Sequence, residues 1–156
     1  MTELNATTTR RRLLASAVGA GAWVALADST NAATDDLTAA VSRFAGGASV
    51  LKGRVKIDIA ELVDNGNVVP ITVSVDSPMT AANHVRFIAV FNEKNPQRDV
   101  VRFSLSPSSG KAMVTTRIRL ATTQKLVAVA QLSDGSFFSH TVDVIVTLAA
   151  CLEGEG

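Results

Sequence analysis

The amino-acid sequence predicts an all-β fold: an immunoglobulin-like antiparallel β-sandwich of about seven strands, preceded by a short N-terminal helix. Segments in which apolar and polar residues alternate recur along most of the chain, a period typical of half-buried strands. Short turn sequences separate these segments, and Asp134-Gly135 between the last two is a strong hairpin signal. Six Phe, one Trp and no Tyr leave a core of small branched side chains. A barrel with the same number of strands is the alternative fold.

Length and charge narrow the function classes. A chain of 156 residues with a net charge of +1 has room for one domain and lacks the concentrated basic face of a nucleic-acid-binding protein. Beyond the N-terminal apolar run, no segment is apolar enough to cross a membrane. We therefore expect neither nucleic acid nor membrane among the partners of the mature protein.

Residues 1–33 are predicted to be a cleaved signal peptide. Arg10-Arg11-Arg12 precedes an apolar run, Leu13–Ala27, that ends in the cleavage-like sequence Ala25-Leu26-Ala27. The paired arginines followed by Leu13-Leu14 fit the twin-arginine pattern. The run is short for the ~20 residues of a membrane span. The sequence thus predicts export to the periplasm by the twin-arginine route, with cleavage near residues 27–33.

The predicted body, residues 34–148, begins with a helix. In "ATDDLTAAVSRFAGG", Asp35 or Asp36 is expected to cap the helix start, and Gly46-Gly47 to end it. One stripe of this helix is apolar and should lie against the sandwich: Leu37, Ala40, Val41 and Phe44.

Seven alternating segments follow the helix. They are "RVKIDI", "VVPITVSV", "HVRFIAVF", "DVVRFSL", "KAMVTTRIRL", "KLVAVAQL" and "FFSHTVDVIVTL", and "NGN" between the first two is expected to form a turn. Pro70 cannot donate to a strand ladder, so its end of the strand should be an edge or an entry position. Six valines are expected to face mostly inward between the sheets: Val73, Val75, Val127, Val129, Val144 and Val146.

The body carries no recognised catalytic motif. His84 and His140 are expected to be surface residues of strands, so a periplasmic enzyme that uses either histidine is the weakest alternative. Five aspartates are expected on a solvated face: Asp58, Asp64, Asp76, Asp99 and Asp143. Arg117 and Arg119 place two positive charges on one strand face, which is either solvated or able to hold anions or the carboxylates of a partner.

Cys151 is the only cysteine and stands five residues from the C-terminal Gly156. In an oxidising compartment an unpaired cysteine indicates an intermolecular disulfide or a reactive thiol. The surrounding segment, residues 149–156, is too polar and Gly-rich to continue a strand and is predicted to be a mobile C-terminal arm. A thiol on such an arm could enter the cleft of another protein.

Four segments resemble a known family: "NGNVVPITVSVDSPMT", "NPQRDVVRF", "VTTRIRLATTQKLVAVAQLSDGSFFS" and "VDVIVTLAAC". They are similar to SoxY, the sulfur-carrier subunit of the periplasmic thiosulfate-oxidising (Sox) system. The resemblance implies an immunoglobulin-like sandwich that is a carrier and not an enzyme, holds no cofactor, and binds thiosulfate covalently through Cys151. It implies as partners the β-sandwich subunit SoxZ in a heterodimer, a haem c-type cytochrome complex, a manganese hydrolase and sulfane-oxidising enzymes.

The arm departs from the family pattern. The family arm usually reads Gly-Gly-Cys-Gly-Gly, whereas this chain has Ala149-Ala150 before Cys151 and Leu-Glu-Gly-Glu-Gly after it. The alanines should stiffen the arm. Glu153, Glu155 and the terminal carboxylate should disfavour the thiolate and repel an anionic adduct, an effect that salt should screen. The alternative function is an exported sandwich subunit that uses Cys151 for an intermolecular disulfide in a structural or regulatory assembly.

Overall fold

The structure, a computed structural model, describes residues 29–150. Within this range the chain forms one helix, nine strands and a single 3₁₀ turn, Pro107–Ser109. The helix is α1 (Ser29–Phe44). The strands are β1 (Val50–Lys52), β2 (Val55–Asp58), β3 (Leu62–Val63), β4 (Val69–Val75), β5 (Val85–Asn92), β6 (Asp99–Ser104), β7 (Met113–Ile118), β8 (Gln124–Leu132) and β9 (Phe137–Val146).

The strands form two facing sheets, which confirms the predicted sandwich. The larger sheet has the order β1-β9-β8-β5-β6, and β3 pairs with β9 beside β1; the smaller sheet has the order β2-β4-β7. All seven predicted segments are strands. The two additional strands, β1 and β3, are short and both pair with β9 in parallel, whereas every other pair is antiparallel.

The main core lies between the two sheets. Small and branched side chains from the inner faces fill it, and several are fully buried, among them Ile71, Ile88, Leu126 and Val144. This composition matches the scarcity of aromatic residues. Four of the six valines expected to face inward belong to this core or pack against it: Val73, Val75, Val144 and Val146.

Helix α1 covers the outer face of the larger sheet and forms a second core. Phe44 packs edge-on against Phe91 and Phe137, at ring-centroid distances of 5.7 and 5.9 Å. Val127 and Val129 belong to this second cluster. The expectation that these two valines face inward is therefore wrong. Strand β8 is buried on both faces, so alternation alone does not indicate which side chains point to the opposite sheet.

The end of helix α1 was predicted correctly and its start was not. The Gly46 amide donates to the Arg43 carbonyl and the Gly47 amide to that of Ser42, and both glycines have positive φ, so this pair ends the helix. The chain is already helical at Ser29, however, so neither Asp35 nor Asp36 caps the helix. The predicted cleavage region, 27–33, lies partly outside the described residues and partly within this helix.

Pro70 has the edge position that its chemistry requires, although its strand is central. Strand β4 lies between β2 and β7, so the strand as a whole is not an edge strand. The pairing with β2 ends at Thr72, so Pro70 has only Arg117 of β7 opposite it. No helix within residues 29–150 has both the length and the apolar character needed to cross a membrane.

Candidate functional site: the root of the C-terminal segment

The predicted attachment residue, Cys151, lies outside the described residues, as do residues 152–156. The description reaches Ala150, the residue directly before the thiol. Ala150 is only 6% exposed, and its amide donates to the Leu120 carbonyl at 3.1 Å. The sequence predicted that the arm begins at Ala149. In the structure Ala150 still belongs to the body, so the arm root is one residue from Cys151.

Gly66 holds this root from the other side. Its amide donates to the Leu148 carbonyl at 2.8 Å, and its carbonyl accepts from the Leu120 amide at 2.8 Å. With the bond from Ala150 to Leu120, three chain segments are joined by backbone hydrogen bonds. We call these four residues, Gly66, Leu120, Leu148 and Ala150, the C-terminal clamp.

The clamp requires glycine at position 66. A Cβ atom on Gly66 would lie 2.3 Å from the Leu120 carbonyl oxygen, 2.9 Å from the Ala150 amide nitrogen and 3.1 Å from Cγ1 of Val146. Two of these atoms are backbone and already hydrogen-bonded, so they have little freedom to move away. Glycine at position 66 is therefore needed for the close approach of these three segments of the chain. The "NGN" turn was predicted from sequence, but this contact was not, because it joins residues far apart in the chain.

A partly buried network of side-chain amides fixes the central segment of the clamp. The Asn95 Oδ1 atom accepts from the Ala121 amide at 3.0 Å and from Gln124 Nε2 at 2.7 Å, and Asn95 Nδ2 donates to the Arg119 carbonyl at 2.9 Å. Gln124 is 3% exposed. Asn95 thus binds both chain neighbours of Leu120 and leaves the Leu120 amide and carbonyl for the clamp. The sequence analysis treated the Asn95 segment only as a connection and missed this role.

Strand β9 is also held just before the clamp. The Ile145 amide donates to the Glu61 carbonyl at 2.8 Å, and the Thr147 amide donates to the Val63 carbonyl at 3.0 Å. Thr147 Oγ1 donates to the Asp64 carbonyl at 3.2 Å. These contacts explain the role of the short strand β3: it holds the end of β9 just before the clamp.

Two arginines lie beside this root. Arg117 and Arg119 are exposed and line a groove of about 430 Å³ that also contains Asn95, Asp99 and Val101. The groove lies between the β6 and β7 edges of the two sheets. Arg119 directly precedes Leu120, so positive charge lies close in sequence to the carbonyl that binds Ala150. All five aspartates expected on a solvated face are exposed.

The two histidines are not brought into a shared site by any contact of the described residues. His84 precedes β5, and its Nδ1 lies 3.2 Å from the Thr80 carbonyl. His140 is half-buried and its Nδ1 accepts from the Ile57 amide of the opposite sheet at 3.2 Å. The expectation of a surface strand position is thus wrong for both: His84 is half-buried and lies before β5, and His140 shares the inward face with Phe138 and Val142. Within residues 29–150, no group of three or more His, Cys, Asp or Glu could hold a metal ion.

The charged pair next to the amide network is structural in character. Lys125 Nζ lies 2.6 Å from Asp143 Oδ1 across the β8–β9 ladder. The hydrogen bond and the charge of Asp143 raise the pKa of Lys125 above its ordinary value. A lysine in this state stays protonated and cannot act as a base, so the pair adds no acid–base chemistry to the site.

The sequence matches the family "Sulfur oxidation protein SoxY" over residues 41–151, so the matched segment includes Cys151. Among solved structures, the chain is similar to the sulfur carrier protein SoxY from Chlorobium limicola f thiosulfatophilum. The identity is 28% and the TM-score 0.62, and the match covers 74% of this chain and 99% of that one. No curated protein matches the chain.

More distant structures share the fold alone. A superoxide reductase (neelaredoxin) from Ignicoccus hospitalis is 22% identical, with a TM-score of 0.54 over 60% of this chain and 80% of that one. A putative superoxide reductase from Thermotoga maritima is 21% identical, with a TM-score of 0.52 over 63% of this chain and 87% of that one. The family match spans the last turn of the helix, both sheets, the clamp and the cysteine beyond it. The chain belongs to the SoxY family.

Proposed function

We propose that this protein is a covalent sulfur carrier of the Sox system, with Cys151 as the attachment residue and no catalytic activity of its own. The observation that carries the proposal is the family match, which extends to the only cysteine of the chain. The chemistry of such a carrier needs one accessible nucleophilic sulfur atom.

The proposed loading step joins two sulfur atoms. The Cys151 thiolate and the outer sulfur of thiosulfate form an S–S bond, and two electrons leave to an oxidant, the haem c-type cytochrome complex that the family resemblance implies. Water then cleaves the bond between the sulfane sulfur and the sulfonate group. This hydrolysis releases sulfate and two protons and leaves a persulfide on Cys151, which is the step assigned to the manganese hydrolase. Sulfane-oxidising partners would act on that persulfide.

The position of the arm root supports this proposal. Ala150 lies at the end of the sandwich where the β3–β4 turn, the β5–β6 connection and the segment after β7 meet. Cys151 directly follows Ala150 in the sequence, so the proposed arm is attached at that end. We propose that residues 151–156, and not 149–156, form the arm when the clamp is intact.

The proposed setting is the periplasm, reached after removal of a twin-arginine signal within residues 1–33. There the carrier would form a heterodimer with a SoxZ-like sandwich subunit. Arg117 and Arg119 would help to attract anions or the carboxylates of a partner toward the arm root, because guanidinium groups form charge-assisted hydrogen bonds with both.

Whole-protein mass spectrometry of material isolated from its native compartment tests the proposal. A carrier should show small adducts of sulfur or thiosulfate mass that a reductant removes, and Cys151→Ser should lack every such adduct. The alternative, an intermolecular disulfide, predicts a much larger mass that collapses to the single chain on reduction. A wild-type protein with neither adduct, isolated from cells that are oxidising thiosulfate, would rule out the carrier function.

A further inference from the structure

We propose that Gly66 is a positioning residue for Cys151: the C-terminal clamp that it completes sets how far the thiol extends from the body, and the arm lengthens when the clamp opens. This inference rests on the proposed carrier function only for the biological role of the clamp. Its geometry comes from described residues, so it can be tested without any sulfur chemistry.

The closed clamp leaves the thiol a short tether. Cys151 is covalently bonded to Ala150, so their Cα atoms are about 3.8 Å apart across a trans peptide. Ala150 is buried and its amide is bonded to Leu120. With this root fixed, we infer that the backbone of Cys151 stays close to the surface of the sandwich. A partner with a shallow site can be served from this position.

Opening the clamp lengthens the tether in steps. When the Ala150 bond opens, the next root is Leu148, held by Gly66, and the backbone of Cys151 reaches about 10 Å from it. When the Leu148 bond opens as well, the root moves to Thr147, held by Val63, and the reach grows to about 14 Å. A partner whose reactive group lies deep in a channel therefore has to open at least the first bond.

Gly66 is the residue on which this arrangement depends. It contributes one donor and one acceptor, and its missing Cβ lets Leu120 and Ala150 approach. Leu120 is fully buried and its chain neighbours are bound by Asn95, so the central segment cannot shift to accommodate a larger residue at position 66. An added methyl group therefore has to displace the C-terminal segment, Leu148–Ala150, and not Leu120.

Spin labelling provides a direct test, since Cys151 is the only cysteine and takes a nitroxide without any other substitution. In the wild type the nitroxide spectrum should contain a slow-motion component, and the Ala150 amide should be protected from hydrogen exchange. Gly66→Ala should reduce the slow component and accelerate exchange at Ala150 by about tenfold, as expected for the loss of one net hydrogen bond. Amides of the central strands β5 and β8 should keep their exchange rates.

Two further variants keep the test decisive if Gly66→Ala lowers overall stability. Ala150→Pro removes the donor of the Leu120 bond and leaves the Gly66 turn untouched, so it should reproduce the effect on the nitroxide. Ala149→Pro is the matched control, because it retains the Ala150 amide and should leave the slow component in place. With a second nitroxide at Lys52→Cys, the distance distribution to Cys151 should widen on clamp opening by about 10 Å, the added tether length.

Each outcome decides the inference. If the wild-type nitroxide is fully mobile and neither Gly66→Ala nor Ala150→Pro changes its spectrum, the clamp does not limit the arm and the inference is overturned. If the spectra change as expected but the native protein carries no sulfur adduct, the clamp stands and the carrier function fails. If the spectra do not change but the native protein carries a sulfur adduct, the carrier function stands and Gly66 has no role in positioning Cys151.

Discussion

A single ring nitrogen joins the two sheets at His140. Its Nδ1 accepts the Ile57 amide at 3.2 Å, a hydrogen bond from β2 of the smaller sheet to β9 of the larger one. We predict that His140→Phe lowers the free energy of unfolding by about 1–3 kcal/mol, because the aromatic ring fills similar space but leaves the Ile57 amide without its acceptor. Denaturant-induced unfolding measures this change.

His84→Phe is the matched control for this substitution. The His84 ring contacts the Thr80 carbonyl in an exposed loop, so its loss should change the unfolding free energy by less than about 1 kcal/mol. Equal costs at the two positions would show that the ring volume, and not the bond between the sheets, accounts for the effect.

Glu153 and Glu155 follow Cys151 in the sequence, so their negative charges are expected to affect the reactivity of its thiol. Alkylation requires the thiolate, and nearby negative charge disfavours that form. We predict that Glu153→Gln combined with Glu155→Gln increases the rate of maleimide alkylation of folded protein at neutral pH. The increase should shrink as salt is added, because the interaction is screened.

Asp76→Asn serves as the charge control, since Asp76 follows β4 at the end opposite Val69, which lies near the clamp. It also removes negative charge, one unit instead of two, and should leave the alkylation rate almost unaltered. A rate that is insensitive to both salt and the paired glutamine substitution would contradict the electrostatic account. Cys151 that reacts only after unfolding would contradict the accessible arm itself.

At the scale of the elements, local alternation was sufficient to predict all seven long strands and the end of the helix. Strands β1 and β3 contain three and two residues, too few to show a period of two. The burial of Val127 and Val129 under α1 depends on where the helix docks, which local sequence does not specify. The clamp was missed for a similar reason: Gly66, Leu120 and Ala150 meet only in the folded chain.

The β8–β9 hairpin has a pH dependence of its own. Asp134 Oδ1 accepts from the hydroxyl of Ser136 at 2.6 Å and from its amide at 2.9 Å. The bond from the hydroxyl, followed by that from the amide, lowers the pKa of Asp134 below its ordinary value of 3.8. The carboxylate therefore stabilises the turn above that value, and this contribution is lost as the pH falls through the lower folded-state value.

We predict that Asp134→Asn lowers the melting temperature more near neutral pH than in acid below the lowered pKa of Asp134, where the wild-type carboxylate is protonated. Thermal unfolding followed by circular dichroism at both pH values provides the measurement. Asp58→Asn is an exposed control at the end of β2. A difference between wild type and Asp134→Asn that grows toward low pH would have the wrong sign for this mechanism.

At the scale of the whole molecule, the sandwich has open edges. Within residues 29–150, β2 and β7 are the outer strands of the smaller sheet, and β6 is an outer strand of the larger one. Unpaired strand edges are suited to association with another β-rich chain. We therefore predict a stable complex with a second sandwich subunit that buries at least ~1,200 Å² in total.

Native mass spectrometry at micromolar concentration, with the SoxZ-like partner present, should show one copy of each chain. Cys151→Ser should give the same complex, because the thiol is not expected to contribute to the interface. Detection of the monomer alone under these conditions would contradict the heterodimer. A complex that disappears on reduction would indicate that Cys151 itself joins the subunits.

The placement of β9 links the completeness of the chain to its ability to fold. This strand is the last to be synthesised, yet it lies inside the larger sheet, with β8 on one side and β1 and β3 on the other. A nascent or prematurely terminated chain leaves β1 and β3 without a partner, and α1 loses its contact with Phe137. Such a product exposes apolar surface and is a substrate for proteases. Quality control by the cell would thus remove copies that end before β9 is complete, so the folded population is enriched in chains that continue beyond Val146 toward Cys151.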